Sequence, residues 1–322
     1  MNRHIDYLRI SLTDRCNLRC VYCMPEEGVQ LMKHQDLMSF EEILQLVRAL
    51  VPLGIRKIRL TGGEPLVRLG VEELIRSLRA IPEIEDITLT TNGILLEEKA
   101  EILKEAGLTR VNVSLDSLNP DKFHQITRWG DLERVRRGIR KAIQVGLTPV
   151  KVNVVAIRGF NDDEFLDFAR FAIEEDVQVR FIELMPIGES DEEAFLKHIP
   201  VDEIRGIIEK DYPLEETQAI RTNGPAENYL LPGGKGSVGF IGALSHKFCS
   251  SCNRLRLTAD GRMRPCLHKD LEYDVLKMIR EGSGEEELRE FVSREVIGNK
   301  PKEHEMEKGW GGQSRKMSQI GG

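Results

Sequence analysis

Apolar and polar positions divide the chain into short strand-like stretches separated by helical ones. Residues 7–12 alternate strictly, and 57–61, 87–91, 111–115, 150–157 and 177–184 read as five further strands. Ser39 with Glu42 forms a capping box that opens a helix running to about residue 50. Val71, Leu74, Ile75 and Leu78 give the stripe of a second helix, and the turn pair Asn92-Gly93 leads into a third that ends at Gly107. Further helices are predicted over 132–145, closed by Gly146, from about residue 163, and over 201–210. Six strand–helix units with short links predict a parallel sheet, because parallel neighbours need helical crossovers. Periodicity leaves open whether that sheet is doubly wound or curled into a partial barrel. In either arrangement the chemistry belongs at the carboxyl ends of the strands. Past Pro200, residues 214–237 are rich in Gly, Pro and polar side chains and read as a long irregular connection.

Composition narrows the class. A chain of 322 residues allows one large α/β domain, or a main domain of residues 1–200 with a C-terminal segment of 201–322. The net charge of -7 argues against a general nucleic-acid surface. No run is long enough to span a bilayer and no basic-then-apolar leader follows Met1, so the expectation is a cytoplasmic protein with reduced thiols.

Cysteine placement then changes the picture. Cys16, Cys20 and Cys23 follow the first strand at spacings of four and three, and no fourth Cys or His follows at a usual zinc offset. Three thiolates so spaced can wrap a four-iron, four-sulfide cluster and leave one iron open, while zinc with a distant fourth ligand is the rival reading. A second group, Cys249, Cys252 and, after thirteen intervening residues, Cys266, uses the remaining thiols. There His246 or His268 could complete a Cys3His zinc site, so cluster and zinc both stand.

Cations occupy strand positions where apolar residues are expected. Lys57 and Arg59 share one face of the second strand, and Arg9, Lys151 and Arg180 are placed similarly in the first, fifth and sixth. Arg254 and Arg256 repeat the i, i+2 spacing beside the second cysteine group. Such side chains converging in a lumen would grip a polyanion such as a triphosphate; the plainer reading is that some lie at strand ends or pair with Asp and Glu.

The CxxxCxxC run with Tyr22 inside it, followed by Gly62-Gly63-Glu64-Pro65, resembles the radical S-adenosylmethionine (SAM) superfamily. The second cysteine group, with Arg254 and Arg256 and a terminal Ile320-Gly321-Gly322, resembles its GTP 3',8-cyclase family over nearly the whole chain. The resemblance implies an α/β fold, an incomplete (β/α)6 TIM-like barrel closed by a C-terminal cluster-binding segment. It implies two [4Fe-4S] clusters, on Cys16, Cys20 and Cys23 and on Cys249, Cys252 and Cys266. SAM contacts would come from Tyr22, Gly63, Ser114, Asn153 and Met185. GTP contacts would come from Arg9, Lys57, Arg59, Thr90, Lys151, Arg180, Arg254 and Arg256. Arg9, Arg254, Arg256, Gly321 and Gly322 carry the catalytic assignment, the two glycines as a slim tail able to enter a narrow site.

The implied reaction is the radical conversion of GTP to (8S)-3',8-cyclo-7,8-dihydroguanosine 5'-triphosphate, the first step of molybdenum cofactor biosynthesis. An electron donor of flavodoxin or ferredoxin type and a downstream cyclic pyranopterin monophosphate synthase are the implied partners, and the family is commonly dimeric. A peptide-modifying radical SAM enzyme is the alternative, though it normally carries more C-terminal cysteines and leaves the strand cations unexplained. A non-catalytic zinc-stabilised binding protein is the other.

Overall fold

The computed structural model describes residues 3–186, 191–217, 224–233, 236–308 and 315–321. Its strands are β1 (Tyr7–Ser11), β2 (Lys57–Thr61), β3 (Asp86–Thr91), β4 (Arg110–Ser114), β5 (Lys151–Ala156), β6 (Gln178–Glu183), β7 (Glu215–Glu216), β8 (Glu227–Leu230), β9 (Ser237–Ile241), β10 (Arg254–Leu257), β11 (Arg262–Arg264) and β12 (Tyr273–Asp274). They form one sheet in the order β12-β11-β10-β1-β2-β3-β4-β5-β6-β9-β8-β7. The stretch from β10 through β1–β6 to β9 is parallel throughout. Among the described residues its outer strands, β12 and β7, do not pair with each other, so the barrel is incomplete.

Helices follow the strands as crossovers and cover one face. Phe40–Leu50, Val71–Arg79, Leu96–Glu105, Leu132–Gln144 and Phe165–Glu174 come after β1 to β5 in turn. The first carries both bonds of the expected capping box, Glu42 N–H to Ser39 Oγ at 3.2 Å and Ser39 N–H to Glu42 Oε2 at 2.7 Å. Beneath the helices lie Leu8, Ile10, Ile58, Leu60, Ile87, Leu89, Val111, Val113, Val152, Val154, Val179 and Phe181, all fully buried. A sheet with helices on both faces reads as continuous apolar runs; these strands alternate instead, because only one face is packed by helices.

Three elements depart from the sequence expectation. The stretch 214–237 is not wholly irregular: β7 and β8 pair antiparallel with each other, and β8 with β9. Tyr229 packs its ring on Phe240 at 5.6 Å, so the strand is stabilised by a partner beyond its own window. A further helix, Pro120–Thr127, begins where the Asn119 side chain accepts from the backbone N–H groups of Asp121 and Lys122 at 2.9 and 3.2 Å. The helix after Pro200 stops at Ile208. The C-terminal residues thus supply an edge to each side of the six-stranded unit, β10 on β1 and β9 on β6.

Candidate active site on the polar face of the sheet

The first cysteine loop is held by main-chain bonds on both sides. Arg19 and Val21 N–H donate to the carbonyls of Thr127 and Ile126 at 3.2 and 2.9 Å, and Gly63 and Glu64 N–H donate to those of Thr13 and Arg15 at 2.7 and 2.8 Å. A Cβ on Gly63 would collide with the Arg15 carbonyl oxygen, which is why glycine stands there. Tyr22 donates its hydroxyl to Asp116 Oδ2 at 2.6 Å, and Asp116 Oδ1 accepts from Val155 N–H at 2.8 Å, tying the loop to the ends of β4 and β5. Ser114 and Met185 lie half-buried at the ends of β4 and β6.

All six cysteines are free and half-buried. Burial pushes the Cys16 thiol up and Cys20 well up, and lifts Cys23 to about 12, with the neighbouring thiolates and Asp116 adding to the effect on Cys20 and Cys23. Three crowded thiols that resist ionising alone fit a metal centre, whose positive charge favours the thiolates.

Register aligns the cations. Arg256, Arg9 and Arg59 stand directly opposite one another across β10, β1 and β2, and Arg254 and Lys57 flank Tyr7 on the same face. Lys151 is opposite Asn112, and Arg180 opposite Asn153. Lys151 is only 1 % exposed and Arg180 4 %. Burial, then the charges of Arg180, Arg110 and Arg59, pull the Lys151 ammonium down to about 5. Burial and Arg59 bring Arg180 to about 9, and burial and Arg254 bring Arg256 to about 10. Cations that depress one another in a buried lumen make a strongly positive face suited to a polyanion. Thr90 Oγ1 and Asn153 Oδ1 face the same space, buried and without a hydrogen-bond partner. The plainer reading holds for Lys57, whose Nζ pairs with Asp6 at 2.5 Å.

The second cysteine group sits beside this row. Cys252 N–H closes a turn on the Cys249 carbonyl at 3.2 Å, and Arg254 lies over the Phe248 ring at 5.0 Å. Burial raises the Cys252 thiol, but Arg254 and Lys300 outweigh it and bring it to about 7. Of the two histidines weighed for zinc, His246 is engaged by Asp202 at 2.7 Å, and His268 is buried with its ring 6.0 Å from that of His304.

The C-terminal tail reaches into the same lumen. The Ser318 backbone N–H favours the Cys23 thiolate, Ile320 is fully buried, and the Gly321 carbonyl accepts from Arg256 Nη1 at 2.8 Å. Gly321 has φ 69°, and a Cβ there would strike Thr61 Oγ1. Gly322, the other predicted tail residue, lies outside the described residues.

Sequence reasoning missed two functional-face cations. Arg110 opens β4 opposite Thr88 and is held bidentately by Asp86 at 2.8 and 2.6 Å. It stands two residues before Asn112, the same spacing that betrayed Lys57 and Arg59, but the strand reading began one residue too late to include it. Lys300 lies in an irregular stretch with no periodic signal.

With this geometry in place, the chain can be set beside known proteins. Residues 10–172 match the Radical SAM superfamily and residues 177–306 match Molybdenum Cofactor Synthesis C. The GTP 3',8-cyclase of Moorella thermoacetica is 57% identical over 320 residues, covering 99% of this chain and 98% of the relative. That of Desulforamulus reducens is 52% identical over 322 residues, covering 100% and 98%. Streptococcus suis SuiB, solved with S-adenosylmethionine, superposes with a TM-score of 0.61 over 90% of this chain and 68% of its own, at 14% identity, a likeness of fold. The chain belongs to the GTP 3',8-cyclase family of molybdenum cofactor biosynthesis, within the radical SAM superfamily.

Proposed function

We propose that the polar face of the sheet binds GTP between two cysteine-held [4Fe-4S] clusters and converts it to (8S)-3',8-cyclo-7,8-dihydroguanosine 5'-triphosphate. The observation that carries this reading is the buried, mutually repelling row of Arg256, Arg9, Arg59, Lys151 and Arg180, with Thr90 Oγ1 unpartnered beside it. The triphosphate takes these cations, Arg through forked hydrogen bonds and Lys151 as a point charge that gains its proton when the anion arrives. Arg254 and Arg256 hold the nucleotide next to the second cysteine group, on Cys249, Cys252 and Cys266. Tyr22, Gly63, Ser114, Asn153 and Met185 line the SAM side, above Cys16, Cys20 and Cys23.

When bound, the first cluster and SAM supply hydrogen-atom abstraction from the ribose. The chain's own residues orient the nucleotide, and they keep water out. Gly321, bonded to Arg256 and seated against Thr61, closes the lumen without a side chain to obstruct it. In this reading residues 1–200 carry SAM and residues 201–322 carry the second cluster and the tail, with a flavodoxin or ferredoxin as electron source.

The test is anaerobic turnover of reconstituted protein with a strong reductant, SAM and each nucleoside triphosphate in turn, followed by mass spectrometry. We expect 5'-deoxyadenosine and a cyclised nucleotide with GTP and neither cyclised ATP nor cyclised CTP. Formation of 5'-deoxyadenosine with every nucleotide left intact would overturn the substrate assignment. Absence of both products from protein holding both clusters would overturn the reaction.

A further inference from the structure

Lys300 is a partly buried ammonium that no step above uses. Its Nζ donates to the carbonyl of Arg254 at 2.7 Å and to that of Pro265 at 2.6 Å. Those two acceptors take two of an ammonium's three donors, and the Cys252 and Cys266 thiols are the nearby groups whose negative charge favours it. The two carbonyls also belong to both halves of the second cysteine group: Arg254 follows Cys252 by two residues, and Pro265 immediately precedes Cys266. Thirteen residues and the β10–β11 hairpin separate these halves in sequence, so the hairpin alone does not lock their spacing. The segment carrying Lys300 is itself anchored. Arg3 donates to the carbonyls of Lys300 and Pro301 at 3.0 and 2.7 Å and, through its other terminal nitrogen, to the carbonyl of Cys249 at 2.9 Å. Residues from both ends of the chain thus converge on the backbone around the second set of thiols.

We propose that Lys300 is a positioning residue for the second cluster, bridging the backbone beside Cys252 and Cys266 to fix their spacing and placing a positive charge near the cluster ligands. This rests on the reading that Cys249, Cys252 and Cys266 hold a [4Fe-4S] cluster. A positive charge near the ligands stabilises the more negative, reduced state of a cluster, so Lys300 raises its reduction potential. A residue filling space alone would leave that potential unmoved.

The experiment uses the full chain carrying Cys16→Ala, Cys20→Ala and Cys23→Ala, reconstituted anaerobically, so that any iron and its EPR signal report the second site alone. Iron in this parent supports the cluster reading; no iron in it, when the unsubstituted chain binds iron, overturns that reading separately from the role of Lys300. On the parent, Lys300→Met keeps chain length and removes the charge, whereas Lys300→Arg keeps the charge. We expect Lys300→Met either to lose the second-site iron or to retain it at lower potential. The expected drop changes the oxidised-to-reduced ratio at least tenfold at fixed potential, which is 59 mV for a one-electron couple. Lys300→Arg should hold iron at a potential close to the parent's. Parent-like iron and potential in Lys300→Met would overturn the proposal, as would a Lys300→Arg variant as impaired as Lys300→Met.

Discussion

The two cysteine groups hold equal numbers of thiols in opposite surroundings. The first is local: eight residues span its ligands, main-chain bonds to Ile126, Thr127, Thr13 and Arg15 hold it, and its buried neighbours Asp116 and Glu64 are acids. The second is assembled from distant pieces, and its neighbours are the cations Arg254 and Lys300. Burial drives Cys23 to about 12, while Cys252 is drawn down to about 7. The first site therefore waits for its charge compensation from what it binds. The second is compensated by the protein, and Arg254 continues into the buried cation row of the sheet.

Ligand removal breaks the comparison most severely. Cys20→Ala and Cys252→Ala should each lose about half of the bound iron and lower turnover by roughly 10³ or more, since ligands of one cluster act as a unit. SAM cleavage separates them: Cys20→Ala abolishes 5'-deoxyadenosine formation, whereas Cys252→Ala retains it uncoupled from nucleotide conversion. Equal loss of 5'-deoxyadenosine in both variants would mean that the two sites do not divide the labour.

Lys151 tests the shared cation row. Its folded value of about 5 lies far below the ordinary lysine value, so between about 5 and 10 the unfolded chain binds more protons than the folded one. Stability of the substrate-free protein should therefore rise with pH across that window, with the penalty fully present below about 5. GTP binding near pH 7.5 should take up a proton, because the triphosphate restores the ammonium. Calorimetry in buffers of differing ionisation heat reads this directly. Lys151→Met should abolish the uptake and weaken GTP binding by about ten- to a hundredfold, the range of one charge-assisted hydrogen bond, yet leave the substrate-free protein at least as stable. Unchanged proton uptake would remove Lys151 from the anion site.

What the sequence disclosed follows the same division. The first cysteine group, the capping box and the six core strands are local features, and each strand was bounded to within a residue or so because period-two alternation needs no partner. Arg9, Arg59, Lys151 and Arg180 stood out because a charge on a covered strand demands an explanation. The pairing of β10 with β1, the β7–β8 ladder and the reach of Lys300 depend on contacts between distant residues, which no window contains. Thr90 could be assigned only by resemblance, whereas Arg254 and Arg256 stood out by their i, i+2 spacing, and the register of β10 against β1 adds the physical reason for placing Arg256 beside Arg9.

The tail joins the two regions, and Gly321 is where that link can be cut most finely. The Ser318 backbone N–H acts on Cys23 in the first group, and three residues later Gly321 accepts from Arg256 beside the second. Its φ of 69° lies in the left-handed region, where a Cβ costs about 1–2 kcal/mol, and that Cβ would also press on Thr61 Oγ1. Gly321→Ala should therefore weaken docking of the tail by roughly tenfold or somewhat more, since about 1.4 kcal/mol corresponds to a factor of ten. Cluster content should not change, because none of the cysteines is touched by the new methyl group. Turnover of GTP should fall by a similar factor, with KM for GTP moving little if the cation row alone sets affinity. Turnover equal to that of the unsubstituted protein would show that the contact between Gly321 and Arg256 is structural, leaving the two cysteine regions to work without the tail between them.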